Sequence, residues 1–407
     1  RDMRWKPGRE YRAMPKGHHA FASRSAVRLP KEVPVAGVRH PAGAGQMAVM
    51  DPAAAFRFAY RIEAEQHLHG FFPVSAIGSC GQSSSYVPIN KVKNWSWESF
   101  WLTQGVFAWL VFPVLGALLA VPAGHTLGEL LTGSGSAALK AMGFGVLWGI
   151  GGLTFGLSMR YLGIAMGQSV ALGTCSAFGT LIPAVMGGTD LFHGKGLLLL
   201  VSVCVALAGI ATIGFAGSLR ARNMTEEQKR AAIKDFALGK GLLVALLAGV
   251  MSACFSLGLE AGKPIADAAT AMGAPLFFIS LPATFMVTLG GFLTNAAYCL
   301  FQNAKNKTFG DYHTVGRKVL INNLLFCGLA GILWYSQFFG LSVGRSFFAE
   351  GSVIMIFSWS ILMSLNVVFS NVWGILLKEW KGVSNTTRVV LILGLAILIF
   401  STFMINF

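Results

Sequence analysis

The sequence predicts an all-α integral membrane protein with ten transmembrane helices, arranged as two inverted repeats of five helices. Ten apolar segments follow one another from about residue 70 to the last residue, and a helix of about 20 apolar residues crosses a bilayer. Hydrophobic residues make up 54% of the chain and charged residues only 12%, against about 25% charge in a typical soluble domain. Helices are expected because lipid leaves each segment to pair its own backbone polar groups.

The first 66 residues differ in composition from everything after them. They are rich in Arg, Pro, Ala and Gly and show neither a helical nor an alternating apolar period. A segment of this kind buries too little apolar surface to fold on its own. We therefore expect residues 1–66 to be a disordered basic extension, not native to the membrane protein and without a role in its function.

The remaining chain divides into two groups of five predicted spans. Residues 67–219 hold the first group, residues 220–240 form a basic polar connecting loop, and residues 241–407 hold the second group. The predicted spans are Gly70–Ile89, Phe100–Val121, Ala141–Met159, Ile164–Met186, Gly196–Ala216, Gly241–Glu260, Pro275–Leu300, Leu320–Leu341, Val353–Leu377 and Val389–Phe407. Because little chain remains for a soluble domain, the function has to lie mostly within the membrane.

A repeated pattern links the third span to the eighth. Both Gly145–Met159 and Gly331–Val343 contain G-x-L-W followed by F-G-L-S, with two residues fewer between the two motifs in the second copy. The spacing indicates a duplication of five spans. Since five is an odd number, the two copies are inverted relative to each other, which is the architecture of many secondary transporters.

The distribution of Lys and Arg between the loops predicts the orientation. The odd-numbered loops carry sixteen of these residues, whereas the even-numbered loops carry only Lys140, Lys195, Lys263 and Arg345. The positive-inside rule therefore puts the odd-numbered loops, including 220–240, in the cytoplasm. The basic N-terminal extension by itself would favour the opposite orientation, so the prediction rests on the loops.

Five blocks of the sequence are specific in their residues and in their order along the chain. They are YVPINKVKNWSWESFW (Tyr86–Trp101), GVLWGIGGLTFGLSMRYLGIAMG (Gly145–Gly167), AGKPI (Ala261–Ile265), LWYSQFFG (Leu333–Gly340) and LKEW (Leu377–Trp380). These blocks resemble the L-rhamnose–proton symporter family, within the drug/metabolite transporter superfamily. The resemblance implies a ten-helix permease of the bacterial inner membrane that imports L-rhamnose, or a close 6-deoxyhexose, together with a proton.

A neutral sugar is held by planar polar groups and aromatic faces, so residues of these types within the spans are the candidates for binding it. The alternative for each is helix packing, because Ser, amide and aromatic side chains also lie at helix contacts. The candidates for substrate binding are Gln82, Tyr86, Trp148, Gln168, Trp334, Tyr335, Gln337 and Asn366. Trp148 and the group around Trp334 occupy corresponding spans of the two halves.

One carboxylate, Glu260, is placed by the sequence clearly within or at the end of a span. Charges at that depth are costly and usually functional. Lys263 follows on the same helical face, and Pro264 breaks the helix. Because broken helices are common sites for coupling ions, Glu260 and Lys263 are the candidates for proton coupling. The alternative is an interfacial ion pair, and the residues alone do not distinguish a proton from a sodium ion.

Other classes of protein fit the sequence less well. The net charge of +15 lies largely in the extension and the loops, which favours membrane orientation over nucleic-acid binding. A membrane-embedded transferase would need a catalytic constellation, and the sequence has no H-E-x-x-H, phosphate-loop or G-x-S-x-G motif. We expect no enzyme activity, metal or cofactor. Transport of another small metabolite stays open because fold does not fix substrate, and the oligomeric state stays open too.

Overall fold

The computed structural model describes residues 70–89, 91–162, 164–222, 238–348, 352–377 and 380–404. Within these ranges the chain forms helices and turns, with no β-strand. All of them belong to one compact unit, Glu65–Phe407. The prediction of an all-helical protein is confirmed. The N-terminal extension predicted for residues 1–66 and most of the connecting loop lie outside the described residues.

Eight helices lie between residues 70 and 222, and a π-helical segment, Val106–Val111, joins the third to the fourth. They are α1 (70–84), α2 (Tyr86–Ile89), α3 (Trp97–Gly105), α4 (Phe112–Leu118), α5 (Leu127–Gly133), α6 (Ala137–Leu162), α7 (Ile164–Met186) and α8 (Gly194–Arg222).

Six helices lie between residues 238 and 404, and a short 3-10 segment, Phe309–Tyr312, separates the third of them from the fourth. They are α9 (Leu238–Ala261), α10 (Lys263–Ala271), α11 (Leu281–Asn306), α12 (Arg317–Arg345), α13 (Val353–Leu376) and α14 (Asn385–Met404).

Nine helical stretches of the described chain are long and apolar enough to cross a membrane. They correspond to the second through tenth predicted spans, so a multi-pass membrane protein is established. The segment predicted as the first span, Gly70–Ile89, forms α1 and α2 with a turn at Ser85 between them, and it is not among the nine. The first of the ten predicted spans therefore remains a prediction.

Two helices begin at caps that the local sequence provides. Ser96 precedes α3 and its hydroxyl accepts from the backbone N–H of Ser99, and Ser352 does the same for Met355 at the start of α13. A break separates α9 from α10 at Gly262, where a side chain would crowd Ala283. This break lies two residues before Pro264, the residue expected to cause it.

Glycine brings α6 and α11 into direct backbone contact. A methyl group on Gly145 would overlap the carbonyl oxygen of Val287, and one on Gly290 would overlap that of Met142. Small residues at such crossings let helices approach closely. Close packing matters in a membrane because moving apolar side chains from lipid to a helix contact is not driven by the hydrophobic effect. The close approach fixes the separation of α6 from α11, and α9 packs against α6 on another side.

The same device joins α1 to α12. Gly78 and Gly81 leave room for the backbone and hydroxyl of Ser336, and the Ser336 hydroxyl donates to the carbonyl of Gly78 at 2.9 Å. Further along the pair, Gly340 lies against the carbonyl of Val74. The first predicted span is therefore packed along the eighth over several turns.

The described residues of the odd-numbered loops lie at one end of the bundle, and those of the even-numbered loops lie at the other. At the odd-numbered end, Trp95 donates to the carbonyl of Asp311 at 2.7 Å, and the Arg220 guanidinium lies 5.4 Å from the centre of the Trp380 ring. At the opposite end α5 packs against α10, and the rings of Phe277 and Phe347 are 6.0 Å apart. The described parts of the odd-numbered loops, which are the more basic ones, thus lie at the same end of the bundle.

Replacing Gly145 with Ala should destabilise the protein, because its new methyl group has no room beside Val287. We expect a loss of about 1–3 kcal/mol, the usual effect of overpacking, seen as a lower unfolding temperature of the purified protein in detergent. Gly143→Ala is the matched control, since no atom lies within 4 Å of a methyl group at that position on the same helix. Equal unfolding temperatures for the two variants would contradict the packing described.

Candidate functional site

Two tryptophans from the repeated G-x-L-W pattern meet inside the bundle. Trp148 on α6 and Trp334 on α12 have ring centres 5.9 Å apart with an angle of 38° between their planes. Both side chains are only partly buried. Two positions 186 residues apart in the chain, which the repeated pattern placed in corresponding spans, therefore form one aromatic surface.

A third tryptophan, Trp109, completes this group and was not among the sequence candidates. Its ring stands almost perpendicular to both of the others, with centres 6.0 Å from Trp148 and 5.9 Å from Trp334. Trp109 is 5% exposed, and its Nε1 has no hydrogen-bond partner among the described residues. It lies in the π-helical segment, and π turns are frequent at functional sites. We call Trp109, Trp148 and Trp334 the tryptophan cluster.

A layer of further aromatic rings supports the tryptophan cluster on one side. Phe255 of α9 lies 5.1 Å from Trp148, and Phe338 lies 5.2 Å from Trp334. These two phenylalanines stack on each other at 4.1 Å, and Phe255 also stacks on Trp359 of α13 at 5.7 Å. Because Phe255, Phe338 and Trp359 are all buried, they hold the cluster rigidly.

The amides of Gln337 and Asn366 form a buried pair next to the tryptophan cluster. Asn366 Nδ2 donates to Gln337 Oε1 at 2.8 Å, and Gln337 Nε2 donates to the carbonyl of Trp334 at 3.1 Å. The remaining oxygen, Asn366 Oδ1, is buried and has no hydrogen-bond partner in the described chain. A buried acceptor is costly to leave unpaired, so this oxygen is suited to receive a hydrogen bond from a ligand.

Polar residues near the end of α1, Gln82, Ser83 and Ser84, lie on the side of α1 that faces α13. Ser83 donates to the carbonyl of Asn366 at 3.2 Å, and its hydroxyl is also 3.2 Å from Gln82 Oε1. The indole of Trp373 donates to Ser84 at 2.8 Å. Ser83 and Ser84 are thus explained by contact between helices. The same contact brings Gln82 close to Asn366.

Other sequence candidates are not brought to the tryptophan cluster. Tyr335 is buried, but its hydroxyl occupies the space left by Gly116 on α4, and it has no hydrogen-bond partner among the described residues. It faces away because neighbouring residues on a helix are rotated by about 100°. The side chains of Tyr86 and Gln168 lie outside the part of the chain that the structure describes.

Glu260 and Lys263 form an ion pair across the break between α9 and α10. The side chain of Glu260 is 27% exposed and that of Lys263 is 46% exposed. Glu260 also interacts electrostatically with Arg345 at the end of α12, whose Nε donates to Ser358 of α13 at 2.8 Å. Glu260 thus forms its ion pair with Lys263, and its interaction with Arg345 is one of charge alone. No local pattern pointed to this interaction, because Arg345 falls in a predicted even-numbered loop.

This charged group lies toward the even-numbered loops from the tryptophan cluster. Phe255 and Glu260 are separated by five residues of α9, which is about 7.5 Å along the helix. Phe338 and Arg345 are separated by seven residues of α12, about 10 Å. The ion pair and the aromatic layer are therefore joined by two continuous helices, so a movement of either helix would affect both.

A second carboxylate is buried within a candidate span, which corrects the expectation that Glu260 is alone. Glu98 lies in the stretch Trp97–Leu118 and is 7% exposed. Its Oε1 accepts hydrogen bonds from Asn306 and Thr308, both at 2.9 Å. The predicted second span began at Phe100, so Glu98 was assigned to the loop before it.

Asp311 extends this polar network at the odd-numbered end. Its Oδ2 accepts from the backbone N–H of Ser96 at 2.7 Å. Burial disfavours the charged form of Asp311, but hydrogen bonds from Ser96 and Ser99 outweigh that effect and hold the pKa of Asp311 below its usual value. The network joins the start of α3 to the segment after α11.

The stability that Asp311 contributes should depend on pH. Because its folded pKa is lowered, this contribution is fully present above the unfolded value of about 3.9 and is lost as the pH falls through the folded value. We expect Asp311→Asn to unfold at a lower temperature than the unmodified protein at pH 6, with a difference that shrinks toward pH 3. A difference independent of pH would contradict the ionised state of Asp311.

Comparison with known proteins identifies relatives over almost all of the described chain. The profile of the family described as L-rhamnose-proton symport protein (RhaT) matches residues 69–407. The chain is 36% identical over 330 residues to proteins named L-rhamnose-proton symporter from Yersinia pestis (strain Pestoides F) and Yersinia pseudotuberculosis (serotype O:1b, strain IP 31758). Each alignment covers 79% of this chain and 93% of the relative.

Proposed function

Because the chain belongs to the L-rhamnose-proton symport protein family, we propose that it imports L-rhamnose, or a close 6-deoxyhexose, together with a proton across the bacterial inner membrane. The Yersinia relatives carry the same function in their names. Members of this family are transporters, so the alternative of a membrane-embedded transferase has no support. Transport of another small metabolite on the same scaffold remains the competing proposal.

The observation that carries this proposal is the meeting of Trp148 and Trp334 beside a buried acceptor without a partner. Aromatic rings offer a sugar an apolar face, and Asn366 Oδ1 offers one of its hydroxyl groups an acceptor. The proposed site includes the tryptophan cluster, the Gln337–Asn366 pair and Gln82. Tyr86, Gln168 and Tyr335 stay in the proposed set on sequence grounds alone.

Packing symmetry supports the proposed architecture of ten spans in two inverted repeats. In this proposal α1 and α9 are equivalent, as are α6 and α12, and α7 and α13. Accordingly α9 packs against α6 and α7, and α1 packs against α12 and α13. In the same way α11 packs against α6, and the π-helical segment packs against α12. Exchange of the two halves thus preserves these contacts.

Alternating access follows from this arrangement. The proposed sugar site lies between helices of both repeats, and the two repeats rock around it. The odd-numbered loops, which are the more basic ones, face the cytoplasm in this proposal. The even-numbered end, toward which Glu260 and Arg345 lie, then faces the outside.

Proton coupling is proposed to run through Glu260. In this proposal Glu260 carries the coupled proton, and Arg345, which interacts electrostatically with Glu260, lies on the neighbouring α12. Opening of the outer end would separate α9 from α12 and expose Glu260 to the outside. Closing that end would bring Arg345 back toward Glu260. Lys263 stays with Glu260 because only the break at Gly262 separates them.

Proton-coupled uptake can be tested directly in cells that express the protein. Adding L-rhamnose to a weakly buffered suspension should make the medium more alkaline, and a protonophore should abolish accumulation of labelled rhamnose. Counterflow in proteoliposomes with a panel of deoxysugars tests the substrate. Uptake that is indifferent to both the proton gradient and competing rhamnose would overturn the proposal in favour of another metabolite.

Glu260→Gln should separate exchange from accumulation. The neutral amide cannot titrate, so we expect counterflow of the sugar to continue while accumulation against a gradient falls at least tenfold. Asp267→Asn is the matched control, because this carboxylate is exposed on the neighbouring α10. If Glu260→Gln still concentrates the sugar, the proton is carried elsewhere, and Lys263 becomes the next residue to test.

A further inference from the structure

The indole nitrogen of Trp109 is a donor with a fixed direction and no acceptor. Several buried hydroxyl groups of the described chain also have no partner, but a hydroxyl can rotate and can act as donor or acceptor. An indole N–H can only donate, and its direction is set by the ring. Leaving it buried without an acceptor is costly, so a ligand that supplies the acceptor would be favoured at this position.

Three features of the fold place this indole where it is. The π-helical segment Val106–Val111 changes the rotation of Trp109 relative to a continuous α-helix. Gly105 leaves room for its ring, because a methyl group there would lie 2.8 Å from two ring atoms. Gly331 of α12 admits the neighbouring Phe107, which brings the π-helical segment close to α12. The position of the ring therefore depends on several local departures from regular helix packing.

The surroundings of Trp109 already contain the other elements of a sugar site. Its ring contacts Trp148 and Trp334, and the backbone of Trp334 leads through Gln337 to the free acceptor of Asn366. Each sugar hydroxyl is both a donor and an acceptor, so a site needs groups of both kinds. Asn366 Oδ1 supplies an acceptor, and Trp109 Nε1 supplies a donor that is buried and has no acceptor among the described residues.

We propose that Trp109 Nε1 donates a hydrogen bond to the oxygen of the 2-, 3- or 4-hydroxyl group of the transported sugar and thereby contributes to selection of the substrate. The proposal rests on the proposed transport of L-rhamnose and adds a residue to that site. It also distinguishes Trp109 from Trp101 on α3, whose Nε1 donates to Asn295 Oδ1 at 3.0 Å. The donor of Trp101 is satisfied by the protein, whereas that of Trp109 is left for the ligand.

Trp109→Phe tests this assignment because it keeps an aromatic ring and removes the N–H group. Binding of L-rhamnose and of its 2-, 3- and 4-deoxy analogues would be measured on the purified full-length protein. We expect Trp109→Phe to weaken L-rhamnose binding about tenfold, as for the loss of one hydrogen bond. One deoxy analogue, which lacks the hydroxyl that Trp109 contacts, should bind the variant and the unmodified protein equally well.

Two further proteins keep the test decisive. Trp101→Phe, the matched control, should leave the relative affinities of the four sugars unchanged. Benzothienylalanine at position 109 replaces the N–H with sulfur at the same size, and it should reproduce the pattern of Trp109→Phe even if that variant folds poorly. Equal losses for all four sugars, or no loss, would overturn the role of Trp109. Failure of the unmodified protein to bind L-rhamnose would instead overturn the proposed function.

Discussion

Direct contact between helix backbones, permitted by glycine, is the constraint on which the rest of this structure depends. In a membrane the hydrophobic effect does not drive helices together, because lipid is as apolar as their side chains. Helices therefore associate through close packing. Gly145 and Gly290 provide that packing between α6 and α11, and Gly291 leaves the space in which the ring of Trp148 lies. The same contacts that hold the bundle together therefore also position one wall of the candidate site.

The buried amides show how a membrane protein separates structural from binding groups. Asn295 accepts from Trp101 and donates to the carbonyls of Gly291 and Gly149, so its hydrogen-bonding groups are used within the fold. Asn366 is equally buried but keeps one oxygen without a partner in the described chain. Because unpaired polar groups are costly in a medium without water, such a difference points to the residues that meet a ligand.

The carboxylates at the two ends of the bundle have different kinds of partner. At the even-numbered end Glu260 of α9 pairs with Lys263 and interacts electrostatically with Arg345 of α12. At the odd-numbered end the carboxylates of Glu98 and Asp311 accept hydrogen bonds from neutral groups. The carboxylates at the two ends therefore have different partners, charged groups at one end and neutral groups at the other.

The sequence by itself determined the class of protein, nine of the ten predicted spans, the family and the pairing of Glu260 with Lys263. These properties depend on composition or on residues within one helical turn of each other. The repeated motif also predicted that Trp148 and Trp334 are related, although only the fold brought them together. Tertiary structure alone decided that Trp109 joins them, that Arg345 reaches Glu260 and that Tyr335 turns toward Gly116. The physical reason is that hydrogen bonding and burial at these positions depend on helices that lie far away in the chain, and a local pattern carries no information about them.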